Sequence, residues 1–101
     1  DVHDFYKALY MKDKVGQEFE GVVSSVTSFG IFVELDNTIE GLIRLANMND
    51  DYYIYDESSY SVLGERTKKS YKIGDLVKIK VESVNVDFKE IDFEIVEKIE
   101  E

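Results

Sequence analysis

The 101 residues include no cysteine, no proline, a single histidine, and only 12 basic side chains against 22 acidic ones. Without cysteine there can be neither a disulfide framework nor a thiolate metal site, which agrees with a reducing cytosol. With His3 as the sole histidine, a histidine triad and a histidine-rich metal site are both excluded. No run of about 18 apolar residues is present, and no basic-then-apolar leader opens the chain. The expectation is a soluble, untargeted, cytoplasmic protein with no membrane partner. Asp50-Asp51 and Asp56-Glu57 lack the spacing of a calcium loop. Gly64-Glu65-Arg66-Thr67 has one glycine and no phosphate-loop lysine pattern. No nucleophile can be named with a base beside it, so neither catalysis nor a cofactor is expected within these residues. The absence of proline carries no message of its own. Asp1 stands where a methionine would open a complete chain, so a piece of something longer is expected.

The scarcity of positive charge, a net −10, argues against nucleic acid as a partner, because phosphate contacts supply much of the affinity of such complexes. The distribution softens that objection. Residues 64–80 hold Arg66, Lys68, Lys69, Lys72, Lys78 and Lys80 against only Glu65 and Asp75, a local +4 that leaves −14 for the rest. The chain is polarised rather than uniformly acidic. Any affinity for RNA should be weak and steeply salt-dependent.

What is present fits one domain with a modest core: 44% of residues are hydrophobic. Val2, Phe5, Tyr6 and Leu9 fall at helical spacing and predict an amphipathic helix over 2–12, ended at Gly16. A first strand is expected over Glu18–Ser28 with a bend at Gly21, and a second over Ile31–Leu35. Asp36-Asn37-Thr38 supplies turn chemistry, and a third short strand covers Ile39–Ile43. A single helical turn is expected over Arg44–Met48. Asn49–Gly74 has no clean period but is rich in tyrosine, and a connection this long is more often functional than decorative. Its five tyrosines favour a satellite packing cluster over additional stacking rings. Val77, Ile79 and Val81 then alternate with Lys78, Lys80 and Glu82, and Ile91, Phe93 and Ile95 with Asp92 and Glu94. The end, from Val96, is expected to be helical or frayed. These elements describe an all-β, five-stranded Greek-key barrel of the oligonucleotide/oligosaccharide-binding kind. A short helix precedes it, and a long insertion separates its third and fourth strands.

One stretch, Gly21 to Leu35, bears most directly on function. Ile31, Val33 and Leu35 share a strand face, which leaves Phe32 and Glu34 on the other. The core does not need Phe32. Phe29 lies three residues earlier, at a corner where Gly30 is expected to let the chain turn tightly. Two rings close together on the outside of a small sheet form a platform for flat ligands, and a stacked base contributes about 1–3 kcal/mol whatever its identity. The competing reading is that Phe29 plugs a barrel end and Phe32 is a scattered surface residue.

The ordered series Gly21-x-Val23, Ser28-Phe29-Gly30-Ile31-Phe32-Val33, Glu40-Gly41-Leu42-Ile43, Gly74-Asp75-x-Val77-x-Ile79-x-Val81 and Val86-Asp87 closely resembles the S1 RNA-binding domain. Within that family, Asp50-Asp51-Tyr52-Tyr53, Leu63-Gly64-Glu65-Arg66-Thr67 and Ile91-Asp92-Phe93-Glu94-Ile95-Val96 are similar to the domain at the carboxyl end of the bacterial ribonuclease R family. The opening Asp4-Phe5-Tyr6-Lys7-Ala8-x-Tyr10-Met11-Lys12 resembles the helix by which the catalytic domain of those enzymes hands over to this module. The resemblance implies residues 1–14 as a helix ending the preceding domain or linker, 15–96 as the S1 domain and 97–101 as a tail. It also implies a parent 3′-to-5′ exoribonuclease, a hydrolase whose magnesium ions sit in a separate catalytic domain. The partners would be single-stranded RNA and the other domains of the parent, and the module would be a monomer.

By the same resemblance Phe29 and Phe32 match the stacking aromatics, with Phe19 a further candidate whose facing the bend at Gly21 leaves open. Arg44 stands where many S1 domains carry histidine and could both stack and bind phosphate. An ordinary surface arginine paired with Glu34 or Glu40 is the alternative. Asp87 matches the acidic residue of the last turn. Glu90 occupies a position that is often basic, so Lys89 is the candidate substitute. Lys68, Lys69, Lys78 and Lys80 either extend a positive track for the RNA backbone or protect a solvated sheet face. An acidic protein-interaction module, or an S1 domain from another RNA-processing or translation protein, remains open at this point.

Overall fold

The computed structural model describes residues 2–36 and 38–99, with side chains from Phe5 onward. The helix α1 (Val2–Lys12) leads into β1 (Glu18–Val26), β2 (Gly30–Leu35) and β3 (Glu40–Arg44). A single 3-10 turn over Leu45–Asn47 follows. Then come β4 (Tyr53–Asp56), β5 (Ser61–Gly64), β6 (Ser70–Lys72), β7 (Leu76–Asn85) and β8 (Glu90–Lys98). The order β1-β2-β3-β8-β7 closes into a barrel, and β4-β5-β6 form a separate three-stranded sheet. All barrel pairings are antiparallel except β3 with β8. The five expected strands and the insertion are therefore all present.

Alternation is what fills the barrel. Ile31, Val33 and Leu35 of β2, Val77, Ile79 and Val81 of β7, and Ile91 and Phe93 of β8 are all buried. Closing the sheet on itself leaves no barrel edge to pair with another chain. Gly21 does not bend β1. It lies flat against β2, where a Cβ would stand 2.6 Å from Val33 Cγ1 and 2.9 Å from the Glu34 carbonyl. The irregularity comes later, as a bulge between Val23 and Ser25. The strand stops at Val26, short of the expected Ser28. There Thr27 Oγ1 accepts the amides of Phe29 (3.3 Å) and Gly30 (3.0 Å) and turns the chain. At the other end β8 continues through Lys98, so 96–98 are strand rather than helix. Glu100 and Glu101 of the expected tail lie outside the described residues.

The helix is where expected but seats on another face. Ala8 and Met11 are buried, and the helix packs on β7 and β8. Phe5, Tyr6, Leu9 and Tyr10 are 39–60% exposed. Val2 lies outside the described side chains. A small and a flexible residue fit closely against the barrel wall, which leaves the bulkier rings outward.

In the insertion, Tyr53 and Tyr71 pack together at 5.8 Å between ring centroids and are buried, whereas Tyr52 and Tyr60 are exposed. Asp51, its side chain fully buried, ties this sheet together. It accepts the backbone N–H (2.7 Å) and hydroxyl (2.7 Å) of Thr67, the N–H of Arg66 (3.1 Å) and that of Tyr52 (2.7 Å). These donors, led by the Thr67 amide, outweigh desolvation and hold the carboxyl far below the usual aspartate range.

Candidate nucleic-acid interface

Between β2, β3 and the β7–β8 turn lies an open groove of about 570 Å³. Phe32, Leu42, Arg44 and Lys89 contribute to its walls, and Lys7 reaches it from α1. Strand parity places Phe32 here: its neighbours Ile31 and Val33 point inward, so its ring stands outward beside Leu42, its cross-strand partner. Phe29 caps the corner, 56% exposed. The two rings lie 6.2 Å apart at 89°. They therefore do not form parallel jaws around one base. Each offers its own face, with the edge of one ring against the other.

Gly30 is required for close approach rather than for a tight turn. It does not adopt positive φ, and a Cβ there would lie 2.6 Å from the Ile43 carbonyl and 2.7 Å from Leu42 Cδ1. The missing side chain lets β3 run close beneath the corner, where Arg44 pairs with Gly30 in register. The Arg44 guanidinium reaches Asp92 Oδ1 at 3.7 Å, not Glu34 or Glu40. Asp92 also accepts the Ser83 hydroxyl at 3.2 Å. Glu40 accepts Ser24 Oγ at 2.5 Å. Glu34, directly opposite Glu40 in register, makes no side-chain hydrogen bond or ion pair among the described residues. The groove thus carries Lys7, Arg44 and Lys89 against Glu34, Glu40, Glu90 and Asp92. A polyanion gains little by lying along such walls, whereas an uncharged flat group can rest on Phe32 and Leu42.

The remaining candidates fall elsewhere. Phe19 shares the inward parity of Gly21 and Val23 and packs against the core, which resolves its facing away from the groove. Asp87 is exposed on the turn and lines a smaller adjoining hollow with Asn85 and Ser83. Lys89 takes φ +57° in that turn and lines the groove together with Glu90. Lys68 and Lys69 lie within the insertion, between β5 and β6, with Lys69 Nζ 3.5 Å from Asp50. Lys78 sits between Glu20 and Glu97 in register, with its Nζ 3.3 Å from Glu18. Lys80 sits between Glu18 and Glu94. Among the described residues, none of these four lysines lines the groove. Lys7, Leu42 and Asp92 were missed from the sequence. Lys7 belongs to a distant helix, Leu42 is placed by its register opposite Phe32, and Asp92 by a single parallel pairing between β3 and β8.

A small closed barrel with outward rings over a shallow groove on its second and third strands defines an oligonucleotide-binding barrel. The chain belongs to the S1 RNA-binding domain family, whose model matches residues 12–96. Ribonuclease R of Vibrio cholerae is 48% identical over 98 residues, which cover 96% of this chain and 12% of that relative. Ribonuclease R of Aquifex aeolicus is 41% identical over 98 residues, covering 96% of this chain and 14% of the relative. Ribonuclease R of Mycoplasma genitalium, solved both in its apo form and with ribose-methylated single-stranded RNA, superposes with a TM-score of 0.88 at 31% identity. The match covers 94% of this chain and 15% of that one. The chain therefore spans between 12% and 15% of the length of these relatives.

Proposed function

We propose that this domain grips single-stranded RNA for a 3′-to-5′ exoribonuclease of the ribonuclease R kind and feeds the strand to a catalytic domain outside these residues. The observation that carries the reading is the pair of outward rings, Phe29 and Phe32, over a groove whose walls are nearly neutral. The similarity to a ribonuclease R solved with single-stranded RNA supports it. Stacking tolerates any sequence, as a processive nuclease requires. Hydrolysis and its magnesium ions would belong to the catalytic domain. Among the described residues no group of three or more His, Cys, Asp or Glu is placed to hold a metal ion. The exposed face of α1, Phe5 with Leu9 and Tyr6 with Tyr10, would meet the other domains of the parent. The same reading makes the parent a cytoplasmic enzyme and this module a monomer.

Fluorescence anisotropy with labelled oligo(A) at low salt tests the grip. Binding by the wild-type chain should be lost or strongly reduced in Phe29→Ala/Phe32→Ala. Equal binding by both proteins would overturn it.

A further inference from the structure

Among the described residues Phe88 is the most exposed of the large apolar side chains, at 73%, and it sits at the tip of the β7–β8 turn. The backbone around it is pinned. Its own N–H donates to Asn85 Oδ1 at 3.1 Å, and the N–H of Lys89 donates to the Val86 carbonyl at 3.2 Å. The ring itself touches no other ring among the described residues and is not packed on the core. A fixed turn therefore holds a bare phenyl in water.

Its surroundings indicate what would cover it. Lys89, the next residue, lines the groove, and Asp87, the preceding one, lines the adjoining hollow of about 480 Å³. Glu90 and Asp92 line both, so the two depressions run together around the base of the turn. Phe32 pairs with Leu42, and Leu42 with Asp92. Two strand spacings, about 10 Å, therefore separate the stacking ring from the strand that carries the turn. Phe88 follows Asp87 of the hollow and precedes Lys89 of the groove, so a single strand that crosses the groove from Phe32 and continues past Lys89 would approach this ring.

We propose that Phe88 is a third base-stacking residue, which extends the RNA track beyond the groove to the β7–β8 turn. The proposal rests on the reading of the groove as the RNA interface. A phenyl ring beside a lysine suits a base followed by its phosphate, and continuity with the groove favours RNA over a protein partner as the occupant.

Two measurements test it on the full chain. The first compares oligo(A) of about four nucleotides, enough for the groove, with oligo(A) of about twelve, within the range of one such barrel. Phe88→Ala should leave the short oligomer's affinity unchanged and weaken the long one by about five-fold or more, the low end of one stacked base. The second uses the absence of tryptophan from the chain. In Phe88→Trp the only indole should be quenched by the long oligomer and not by the short one. Unchanged affinity for both lengths in Phe88→Ala, with an unquenched indole, would overturn the proposal. Loss of binding in Phe29→Ala/Phe32→Ala would still leave the groove reading standing in that case. If that double variant binds like wild type, the groove reading itself fails.

Discussion

In the insertion Asp51 is surrounded by donors from Tyr52, Arg66 and Thr67, Asp56 accepts Ser58, and Tyr53 and Lys69 both reach Asp50. In the groove Glu34 has no side-chain partner among the described residues and Arg44 has one contact at 3.7 Å, while Phe29 at the corner is 56% exposed. The two regions use similar residue types to opposite ends. Where polar groups satisfy one another they fix architecture, because a buried donor or acceptor left unmade is costly. Where a carboxylate such as Glu34 is left without a side-chain partner beside apolar rings, it adds little to architecture and leaves a surface on which a ligand could rest. Stability should therefore reside in the first region and binding in the second, and each substitution below tests that division.

The largest effect is expected at Asp51. Asp51→Ala strands the amides of Arg66 and Thr67 in a closed loop and should unfold the β4-β5-β6 sheet. Hydrogen exchange should show protection lost over residues 53–72 while the barrel strands stay protected. If the whole chain melts together, the insertion is part of the barrel's cooperative unit. The same carboxylate sets an acid dependence. Its folded pKa lies below the usual aspartate value of 3.8, so its stabilising contribution is complete above that value. The contribution is lost as pH falls from 3.8 toward the folded pKa. Asp56, also held low by Ser58, adds in the same direction. Thermal unfolding followed from pH 5 down to about pH 2 should show this decline in the wild type and a flatter one in Asp51→Asn.

Phe32→Ala comes next. It should cost about 1–3 kcal/mol of RNA affinity, the contribution of one stacked base, while thermal stability changes little. A stability loss that matched the affinity loss would make Phe32 a packing residue and erase the contrast between the regions.

The sequence made the barrel legible because period two is enforced by burial: Val77, Ile79 and Val81 could face only one way. Phe32 was legible for the same reason, as the residue that parity excludes from the core. What was not legible depended on partners distant in the chain. The insertion's strands carry no clean period, because the buried set mixes Tyr53, Ser61, Val62, Gly64 and Tyr71. Asp51 looked like half of an unremarkable acidic pair, and nothing local shows that it receives Thr67. The helix misled in a different way, since its hydrophobic stripe is real but Ala8 and Met11 do the packing. Phe29 and Phe32 were read as one platform, yet they stand perpendicular at a corner that Thr27 turns.

A smaller effect is expected at Glu34. It faces Glu40 directly across β2 and β3, and like charges so placed destabilise a sheet. Glu34→Gln should therefore raise thermal stability slightly and strengthen RNA binding, since one anionic wall group is removed beside Phe32. Weakened binding instead would mean that the carboxylate itself contacts the RNA.

The smallest effect should come from Lys78 and Lys80, the residues that a reading of charge alone would rank first. Each stands between two glutamates of the neighbouring strands, Lys78 between Glu20 and Glu97 and Lys80 between Glu18 and Glu94. That surface is a lattice of alternating sign, and its exposed pairs contribute at most about 1 kcal/mol to stability. A phosphate approaching Lys80 meets a carboxylate on the strand to either side, so the attraction largely cancels. Lys78→Ala/Lys80→Ala should change oligo(A) affinity by less than about two-fold and leave the slope of log K against log salt unaltered, since no counterion is released there. A slope reduced by about one per lysine removed would instead put the RNA backbone on this face. The division between a satisfied architecture and an unsatisfied groove would then fail where the charge pattern argued most strongly for it.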